Sequence, residues 1–249
     1  MVQEHAITVG TAGWSLRREH QHLFEAGPAH LARYSTRFSG VEINSSFYRP
    51  HRSATYAKWA AITPPGFRFA VKVPRTITHE ARLVGVGALL EKFLSECTAL
   101  GNKLGPLLIQ LPPSLKFEAA ITEDFFAQLR MQTSSAVVVE PRHPSWFTEE
   151  VDGLFRKFRI ARVAVDPAPK NVSEEKASEP GGDRALAYFR LHGSPRIYYS
   201  DYGDNYLATL ATRLRSERRV GANVWCIFDN TALGHAVENA LTLGALLRR

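Results

Sequence analysis

The sequence predicts an α/β protein of the (β/α)8 TIM-barrel class, with eight parallel strands and a reduced or missing sixth helix. Three observations lead to this prediction. Apolar segments of strand length alternate with helical segments, the alternation repeats eight times, and a chain of 249 residues has the usual length of such a barrel. We therefore expect residues 1–249 to form a single TIM-barrel domain.

The strands are predicted where short apolar runs stand between turn-forming segments. In chain order they are Ala6–Gly10, Gly40–Asn44, Phe67–Val73, Leu107–Leu111, Ala136–Glu140, Ala161–Asp166, Ala187–His192 and Val224–Asp229. The helices are predicted where apolar residues recur with helical spacing between these runs. They are Pro28–Arg37, Ser53–Ala61, Gly87–Leu100, Ala119–Met131, Trp146–Phe158, Asn205–Arg218 and Gly234–Leu247. Because each helix returns the chain to the start of the next strand, the strands are expected to be parallel.

The sixth unit departs from this pattern. Residues 167–183 are rich in proline, glycine and charge, and they lack an apolar period. Such a composition is typical of an irregular excursion, so little or no helix is expected there.

The strand ends carry the polar residues that suggest a site. Side chains alternate between the two faces of a strand, so in Phe67–Val73 the apolar residues face the helices while Arg68, Ala70 and Lys72 face the barrel interior. The same parity places Asn44 inward near Glu42. Strands two to eight then each end in an inward polar residue, namely Glu42, Lys72, Gln110, Glu140, Asp166, His192 and Asp229. Polar groups on every strand favour a closed barrel over an open doubly wound sheet, which would concentrate them near one switch point.

Five of these residues are the candidate catalytic groups: Lys72, Glu140, Asp166, His192 and Asp229. Glu140 and Asp166 end neighbouring strands, so one of the two carboxyl groups is expected to hold a proton and act as acid while the other acts as base. Lys72 or His192 would stabilise developing negative charge.

The candidate binding residues lie at the strand ends and in the loops just beyond them. Arginine suits bidentate contact with an oxyanion, and aromatic rings suit stacking on a ring or sugar face. The predicted binding residues are Trp14, Glu42, Asn44, Tyr48, Arg49, Arg75, His79, Gln110, Arg142, His143, Trp146, Arg190 and Asn230. The same loops also hold His51, Arg52, Thr78, Tyr198 and Tyr199. An alternative interpretation is a buried ion network that sets strand register, because buried charges must be paired.

Composition restricts the classes of function. Lys and Arg total 31 against 24 Asp and Glu, which gives a formal charge of +7 and favours anionic partners where the charges cluster. No apolar run approaches the roughly 20 residues of a membrane helix, and no secretory signal is visible at the start of the sequence. Cys97 and Cys226 are too few for a disulfide framework or a cysteine zinc site. A cytoplasmic protein without a membrane partner is expected.

No cofactor is assigned from the sequence. Gly85-Val86-Gly87 lacks the third glycine of a dinucleotide fingerprint, and no Walker A sequence occurs. A divalent metal held by Glu140, Asp166, His192 and Asp229 is an alternative, since oxygen ligands with one imidazole suit Mn, Mg or Zn. Lys72 in the same ring argues against it, because its charge would lie beside the metal.

Several segments together resemble one protein family. They are Gly10-Thr11-Ala12-Gly13-Trp14-Ser15, residues 41–48 (VEINSSFY), residues 67–74 (FRFAVKVP) with Thr78-His79, Leu104-Gly105-Pro106, residues 110–114 (QLPPS), residues 140–146 (EPRHPSW), residues 188–193 (YFRLHG), residues 228–232 (FDNTA) and Asn239-Ala240. The combination is similar to the YecE-like family, also called "domain of unknown function 72". The resemblance implies a TIM barrel but no established reaction. Such a barrel resembles metal-dependent DNA-repair endonucleases and sugar isomerases, which is a likeness of fold only.

Two functions are consistent with these residues. The first is an enzyme acting on an anionic, phosphate-bearing substrate (a nucleotide, sugar phosphate or phosphoester) at the carboxyl-terminal face, by hydrolysis, elimination or isomerisation. The alternative is a nucleic-acid-binding, nuclease-like protein that holds a strand over the basic aromatic mouth. The sequence predicts no particular oligomeric state.

Overall fold

The computed structural model describes residues 7–248. Ala6, where the first strand is predicted to begin, lies outside this range, as does the segment at the start of the chain where no secretory signal is expected. Ten strands are described, numbered in chain order: β1 (Ile7–Thr11), β2 (Gly40–Ile43), β3 (Arg68–Lys72), β4 (Leu104–Gln110), β5 (Val137–Glu140), β6 (Ile160–Arg162), β7 (Ala164–Asp166), β8 (Gly181–Gly182), β9 (Leu186–Leu191) and β10 (Asn223–Phe228).

Within residues 7–248, eight α-helices lie between and after these strands. They are α1 (His30–Tyr34), α2 (Ser53–Ala61), α3 (Gly87–Cys97), α4 (Ala119–Gln132), α5 (Glu149–Lys157), α6 (Glu174–Ser178), α7 (Asp204–Arg219) and α8 (His235–Leu247). The predicted bounds hold to within a few residues for most of them. The first helix is shorter than predicted, because the chain turns irregularly before His30 and after Tyr34. The sixth helix has only five residues, in agreement with the reduction expected from its polar sequence.

The strands form two sheets. One has the order β1-β10-β9-β7 and the other has the order β2-β3-β4-β5-β6-β8. All pairs are parallel except β6 with β8, which is antiparallel. A mixed α/β fold with mainly parallel sheets is therefore confirmed, but the predicted single closed sheet of eight strands is not found among residues 7–248.

The two sheets approach each other at both ends. At one end β6 and β7 are separated only by Val163, and the first of them pairs with β5 while the second pairs with β9. At the other end Ala12 forms an isolated parallel bridge with Glu42, and the Gly13 amide donates to the Glu42 carbonyl at 2.9 Å.

Two glycines and a tyrosine allow β1 and β2 to come together. A Cβ atom on Gly10 would lie 2.2 Å from the Gly40 carbonyl oxygen, so only glycine permits this backbone approach. The Tyr34 hydroxyl accepts from the Thr11 amide at 2.8 Å and donates to the Gly40 carbonyl at 3.2 Å. These contacts fix the position of Glu42 at the end of β2.

The strands separate an outer apolar layer, packed against the helices, from an inner layer. The inner layer contains small and medium side chains from successive strands together with Tyr188 and Trp225, whose rings stack at 6.0 Å. Because this layer fills the middle of the strands, the polar residues lie at their ends. Within residues 7–248 no helix combines the length and apolar character required to cross a membrane.

Candidate active site

Arg190 of β9 organises the carboxyl ends of the strands. It is fully buried and binds Glu42 through Nε at 3.0 Å and Nη2 at 2.7 Å. Its Nη1 donates to Glu140 at 2.6 Å, and its Nη2 also donates to Asp229 at 2.9 Å. Buried carboxylates require a cationic partner, so one guanidinium compensates the ends of three strands.

His192 forms a second centre at the end of the same strand. Its Nδ1 lies 3.0 Å from Asp229 Oδ2, and its Nε2 lies 2.8 Å from Arg142 Nη2. A guanidinium can only donate, so Nε2 accepts and the ring proton resides on Nδ1, where it is donated to Asp229. The Asp229 carboxylate thus orients the imidazole.

Glu140 and Asp229 are both ionised in this environment. Burial alone would raise the pKa of Glu140, but Arg142 and Arg190 outweigh it and hold the pKa well below the usual range. Burial likewise opposes ionisation of Asp229, and Arg190 with the His192 hydrogen bond lowers its pKa. Gln110 donates a further hydrogen bond to Glu140 at 2.9 Å. Glu140 is therefore not the proton-holding member of the predicted Glu140–Asp166 pair.

Lys72 presents an amine at the end of β3. Lys72 is only 4% exposed, and its Nζ lies 4.2 Å from the centre of the Phe47 ring. Among residues 7–248 the amine makes no hydrogen bond or ion pair. Burial and the charge of Arg190 lower the pKa of Lys72 to about 8, although Glu42 and the neighbouring carboxylates act in the opposite direction.

His79 lies close to this amine. Its Nδ1 is 2.8 Å from the Thr78 hydroxyl, and its ring packs edge-on against Phe47 at 4.9 Å. Burial, followed by the charges of Lys72 and Arg75, lowers the pKa of His79. The imidazole is therefore neutral at pH 7 and able to take up a proton.

The charges are arranged in two layers. Glu42, Glu140 and Arg190 are completely buried, whereas the side chain of Arg142 is 15% exposed. Arg142 also contacts Glu140 directly. The solvent side of the site is therefore cationic while the carboxylates lie beneath, an arrangement suited to an approaching anion.

Tyr198 covers part of the mouth. The centre of its ring lies 6.0 Å from the centre of the His192 ring. Tyr198 is 45% exposed, and its backbone adopts a positive φ of 70°. Burial and the nearby Asp229 raise its pKa. The sequence places Tyr198 in the rim but does not select it as a binding residue, because its position depends on how the 194–203 loop folds back over β9.

Asp166 does not join the cluster, and the inward direction predicted for it is wrong. Val165 is in register with Arg190, and Val163 and Val165 face the interior. Asp166 instead accepts from the Tyr202 hydroxyl at 2.7 Å. Arg162 shares this outward direction and donates to Asp152 of α5 at 3.1 Å. The wholly apolar face of this segment, with Ala161, Val163 and Val165, is the one that faces the interior, so the assumption that apolar residues face the helices selects the wrong set.

Several predicted binding residues have structural contacts instead. Trp146 is buried and donates through Nε1 to the Leu115 carbonyl at 2.8 Å, so its prediction as a stacking residue is wrong. His143 lies 2.9 Å from the Ser145 hydroxyl, where it caps a short helical turn. Asn230 donates to the Ser200 carbonyl at 2.9 Å and to Asn239 at 2.8 Å, which anchors the loop that carries Tyr198.

The other predicted binding residues lie outside the Arg190 cluster or at its edge. Trp14 packs its ring against Trp59 of α2 at 4.9 Å. Tyr48 and Arg49 are exposed, and Arg75 pairs with Glu80 at 3.1 Å on the surface. At the end of β2, the half-buried Asn44 has a buried Oδ1 without a hydrogen-bond partner among the described residues. The last strand orients Asp229 into the cluster, as its parity with Ile227 predicts.

The donor set does not suit a metal ion. Glu42, Glu140 and Asp229 turn their oxygens toward Arg190, so the guanidinium occupies the place that a cation would take. Asp166, one of the four predicted alternative ligands, points away from them. In the described part of the chain, no three His, Cys, Asp or Glu side chains are arranged to hold a metal.

We expect the free energy of unfolding to fall as the pH is lowered from 7 to 3. The folded-state pKa values of Glu140 and Asp229 lie below their unfolded values, so their contribution is complete above about pH 5 and is lost as the pH falls from there through the folded values. Urea denaturation at successive pH values measures this. Glu140→Gln should flatten the acid limb, whereas substitution of the exposed Glu91 by Gln should not. A flat wild-type profile would contradict the assignment.

Comparison with known families and structures gives consistent matches. The model for "Protein of unknown function DUF72" matches residues 8–249. The chain is 30% identical to the UPF0759 protein YecE of Escherichia coli K12 over 67% of its length, and that match spans only 61% of the relative. It is also 30% identical to the UPF0759 protein YunF of Bacillus subtilis strain 168, over 97% of this chain and 94% of that protein.

Two solved structures have the same architecture. A crystal structure of a DUF72 family protein from Thermotoga maritima has a TM-score of 0.80 and 26% identity, covering 98% of this chain and all of that one (100%). A DUF72 family protein from Enterococcus faecalis has a TM-score of 0.80 and 21% identity, covering 98% and 96% of the two chains. These relatives are described by family and not by activity.

Proposed function

The chain belongs to the DUF72 family of proteins of unknown function, and we propose that it is an enzyme acting on a small anionic substrate at the carboxyl ends of its strands. The observation that carries this proposal is the position of Lys72 and Arg142. Arg142 is partly exposed above carboxylates that Arg190 already compensates, and the Lys72 amine pairs with none of these carboxylates directly. Both cationic groups are therefore available to an anion from outside.

In this proposal the strands close into one (β/α)8 barrel within a single domain. Support comes from the continuous run through β6 and β7, which joins the two sheets at one end, and from the Ala12–Glu42 bridge at the other. A closed cylinder also accounts for the meeting of Glu42, Glu140, Arg190 and Asp229, which come from distant parts of the chain.

The substrate is proposed to carry a phosphate or a similar oxyanion, as in a nucleotide, sugar phosphate or phosphoester. Arg142 uses Nη2 for Glu140 and His192, which leaves the rest of its fork without a contact among the described residues. A planar guanidinium fork suits bidentate oxyanion binding. Lys72 supplies a second positive charge near Glu140 and Asp229.

Proton transfer is assigned to His192 and His79. The Asp229 carboxylate fixes the proton on His192 Nδ1 and leaves Nε2 as a hydrogen-bond acceptor. Displacement of Arg142 toward a substrate anion would free this nitrogen to act as a base. Elimination, isomerisation and hydrolysis all require such a base.

Substitution of Arg142 by Gln should weaken the binding of inorganic phosphate about tenfold or more, because a charge-assisted hydrogen bond contributes about 1.5–3 kcal/mol. Isothermal titration measures the affinity, and circular dichroism checks folding. Arg156→Gln is the matched control, since Arg156 pairs with Glu149 on the surface of α5. Equal phosphate affinity in the wild type and both variants would contradict anion binding at this site.

A nucleic-acid strand is the second candidate ligand. The observation in its favour is a group of exposed apolar and aromatic residues beside the mouth, including Ile197, Tyr198 and Tyr199, with Arg196 stacked over Tyr199 at 3.9 Å. In the same titration a short single-stranded oligodeoxynucleotide should bind with an affinity that falls steeply with salt. Absent or salt-independent binding would eliminate this candidate.

A further inference from the structure

The buried amine of Lys72 suggests a chemistry more specific than anion binding. We propose that Lys72 forms a Schiff base, so that the natural substrate carries an aldehyde or ketone group as well as its anionic group. This inference rests on the proposed function and narrows its substrate class. It favours elimination and isomerisation over simple phosphoester hydrolysis.

The contacts of Lys72 differ from those of a structural lysine. The chain provides a direct comparison in Lys103, whose Nζ donates to the Ala60 carbonyl at 2.7 Å, the Thr63 carbonyl at 2.5 Å and the Thr63 hydroxyl at 3.1 Å. A buried ammonium has three N–H groups to satisfy, and Lys103 satisfies them. The Lys72 amine has no such acceptors among residues 7–248 and faces only the ring of Phe47.

The backbone that carries the amine is held in place. The Ser46 hydroxyl lies 2.6 Å from the Lys72 carbonyl oxygen and holds the end of β3 against the loop after β2. The Lys72 Nζ lies 4.2 Å from the centre of the Phe47 ring. An amine without hydrogen-bond partners among the described residues, beside the charged cluster, is placed to attack an electrophilic carbon.

The charges around the amine support a neutral fraction near neutral pH. Arg190 faces it from β9, Glu42 from β2, Glu140 from β5 and Asp229 from the end of β10, while His79 lies beside it. With a pKa of about 8, about one amine in ten is unprotonated at pH 7, compared with fewer than about one in a thousand for an exposed lysine.

The reaction is balanced without an oxidant or a cofactor. The Lys72 nitrogen forms a bond to the carbonyl carbon, and the carbon–oxygen π electrons move to oxygen, giving an alkoxide. His79 moves one proton from nitrogen to this oxygen, which gives the carbinolamine, and then delivers a second proton, taken from solvent, to the hydroxyl group. The carbon–oxygen bond breaks as the nitrogen lone pair forms the carbon–nitrogen double bond, and one water leaves the protonated Schiff base. The product withdraws electrons from the adjacent carbon and makes its hydrogen acidic, as elimination and isomerisation require.

Reductive trapping tests this proposal. The wild-type protein is incubated at pH 7 with pyruvate and sodium cyanoborohydride, and every lysine-containing peptide is quantified by mass spectrometry. Lys72 should be modified at least about tenfold faster than the exposed Lys58 and Lys92, because its unprotonated fraction is larger. Comparison within one sample makes the result independent of whether a Lys72 variant folds.

Two further samples separate this inference from the proposed function. Acetone replaces pyruvate to remove the carboxylate, and Lys72→Met, checked by circular dichroism, replaces the wild type. A smaller ratio of Lys72 to Lys58 labelling with acetone than with pyruvate supports both proposals, because the ratio cancels the different reactivities of the two carbonyl compounds. An equal ratio that still favours Lys72 supports the Schiff base but contradicts anion binding. Labelling of Lys72 no faster than that of Lys58 overturns the Schiff base, and the phosphate titration of Arg142→Gln then decides the proposed function separately.

Discussion

Replacing Arg190 with methionine is expected to lower the free energy of unfolding by about 3–5 kcal/mol, the usual cost of removing one partner from a buried ion pair. We expect a loss of stability at the upper end of this range or beyond it, because Glu42, Glu140 and Asp229 lose their shared guanidinium at the same time. Guanidinium chloride denaturation monitored by circular dichroism measures the change. A variant that does not fold at neutral pH would agree with the expectation.

The matched control is Arg162→Met. Arg162 is also buried, but among the described residues its charged contact is with Asp152 alone. Its loss should therefore cost less than that of Arg190. The loss of unfolding free energy in Arg190→Met should become smaller toward pH 4, since the uncompensated carboxyl groups then take up protons and lose their buried charge. Equal deficits in the two variants, or a deficit independent of pH, would show that the cluster contributes little to stability.

Replacing Gly10 with alanine is expected to cost at least about 1–3 kcal/mol, the usual effect of overpacking, because the new methyl group would meet the backbone of β2. Its Cβ would lie 2.2 Å from the Gly40 carbonyl oxygen, and a carbonyl held in a sheet cannot rotate away. Gly66→Ala is the control, since a Cβ there has no neighbour within 4 Å. Chemical denaturation compares the two, and hydrogen exchange locates the effect.

This second experiment also tests barrel closure. We expect the amides of β1 and β2 to exchange faster in Gly10→Ala, because separation of these strands opens one end of the two sheets. If Gly10→Ala is as stable as Gly66→Ala, the close approach of β1 and β2 is incorrect. The proposed closed barrel would then fail, while the Arg190 cluster would remain to be explained within separate sheets.

The site combines the two interpretations that the sequence leaves open. Glu42, Arg190 and their neighbouring carboxylates form a buried ion network of the structural kind. Lys72, His79 and Arg142 lie beside this network. In the proposed function the network would hold these groups and His192 in place, in the way that preorganised sites generally operate.

Strand parity predicts the inner cluster well for a physical reason. In β3 the apolar residues occupy alternate positions, and in β5 the apolar run ends in the single polar residue Glu140. The inward direction of Lys72 and Glu140 follows from the alternation of side chains between the two faces of a strand. These predictions use only residues that are close together in the sequence. Glu42, Gln110, His192 and Asp229 lie where this alternation places them.

The sequence by itself therefore determined the succession of strands and helices, the family and most of the polar strand ends, since each depends on residues close together in the chain. Only the tertiary structure decided that Asp166 turns outward, that Trp146 is buried against Leu115, and that Tyr198 covers His192. It also decided that one guanidinium binds three carboxylates. These outcomes depend on contacts between distant segments, where competition for space and for buried charge outweighs local pattern.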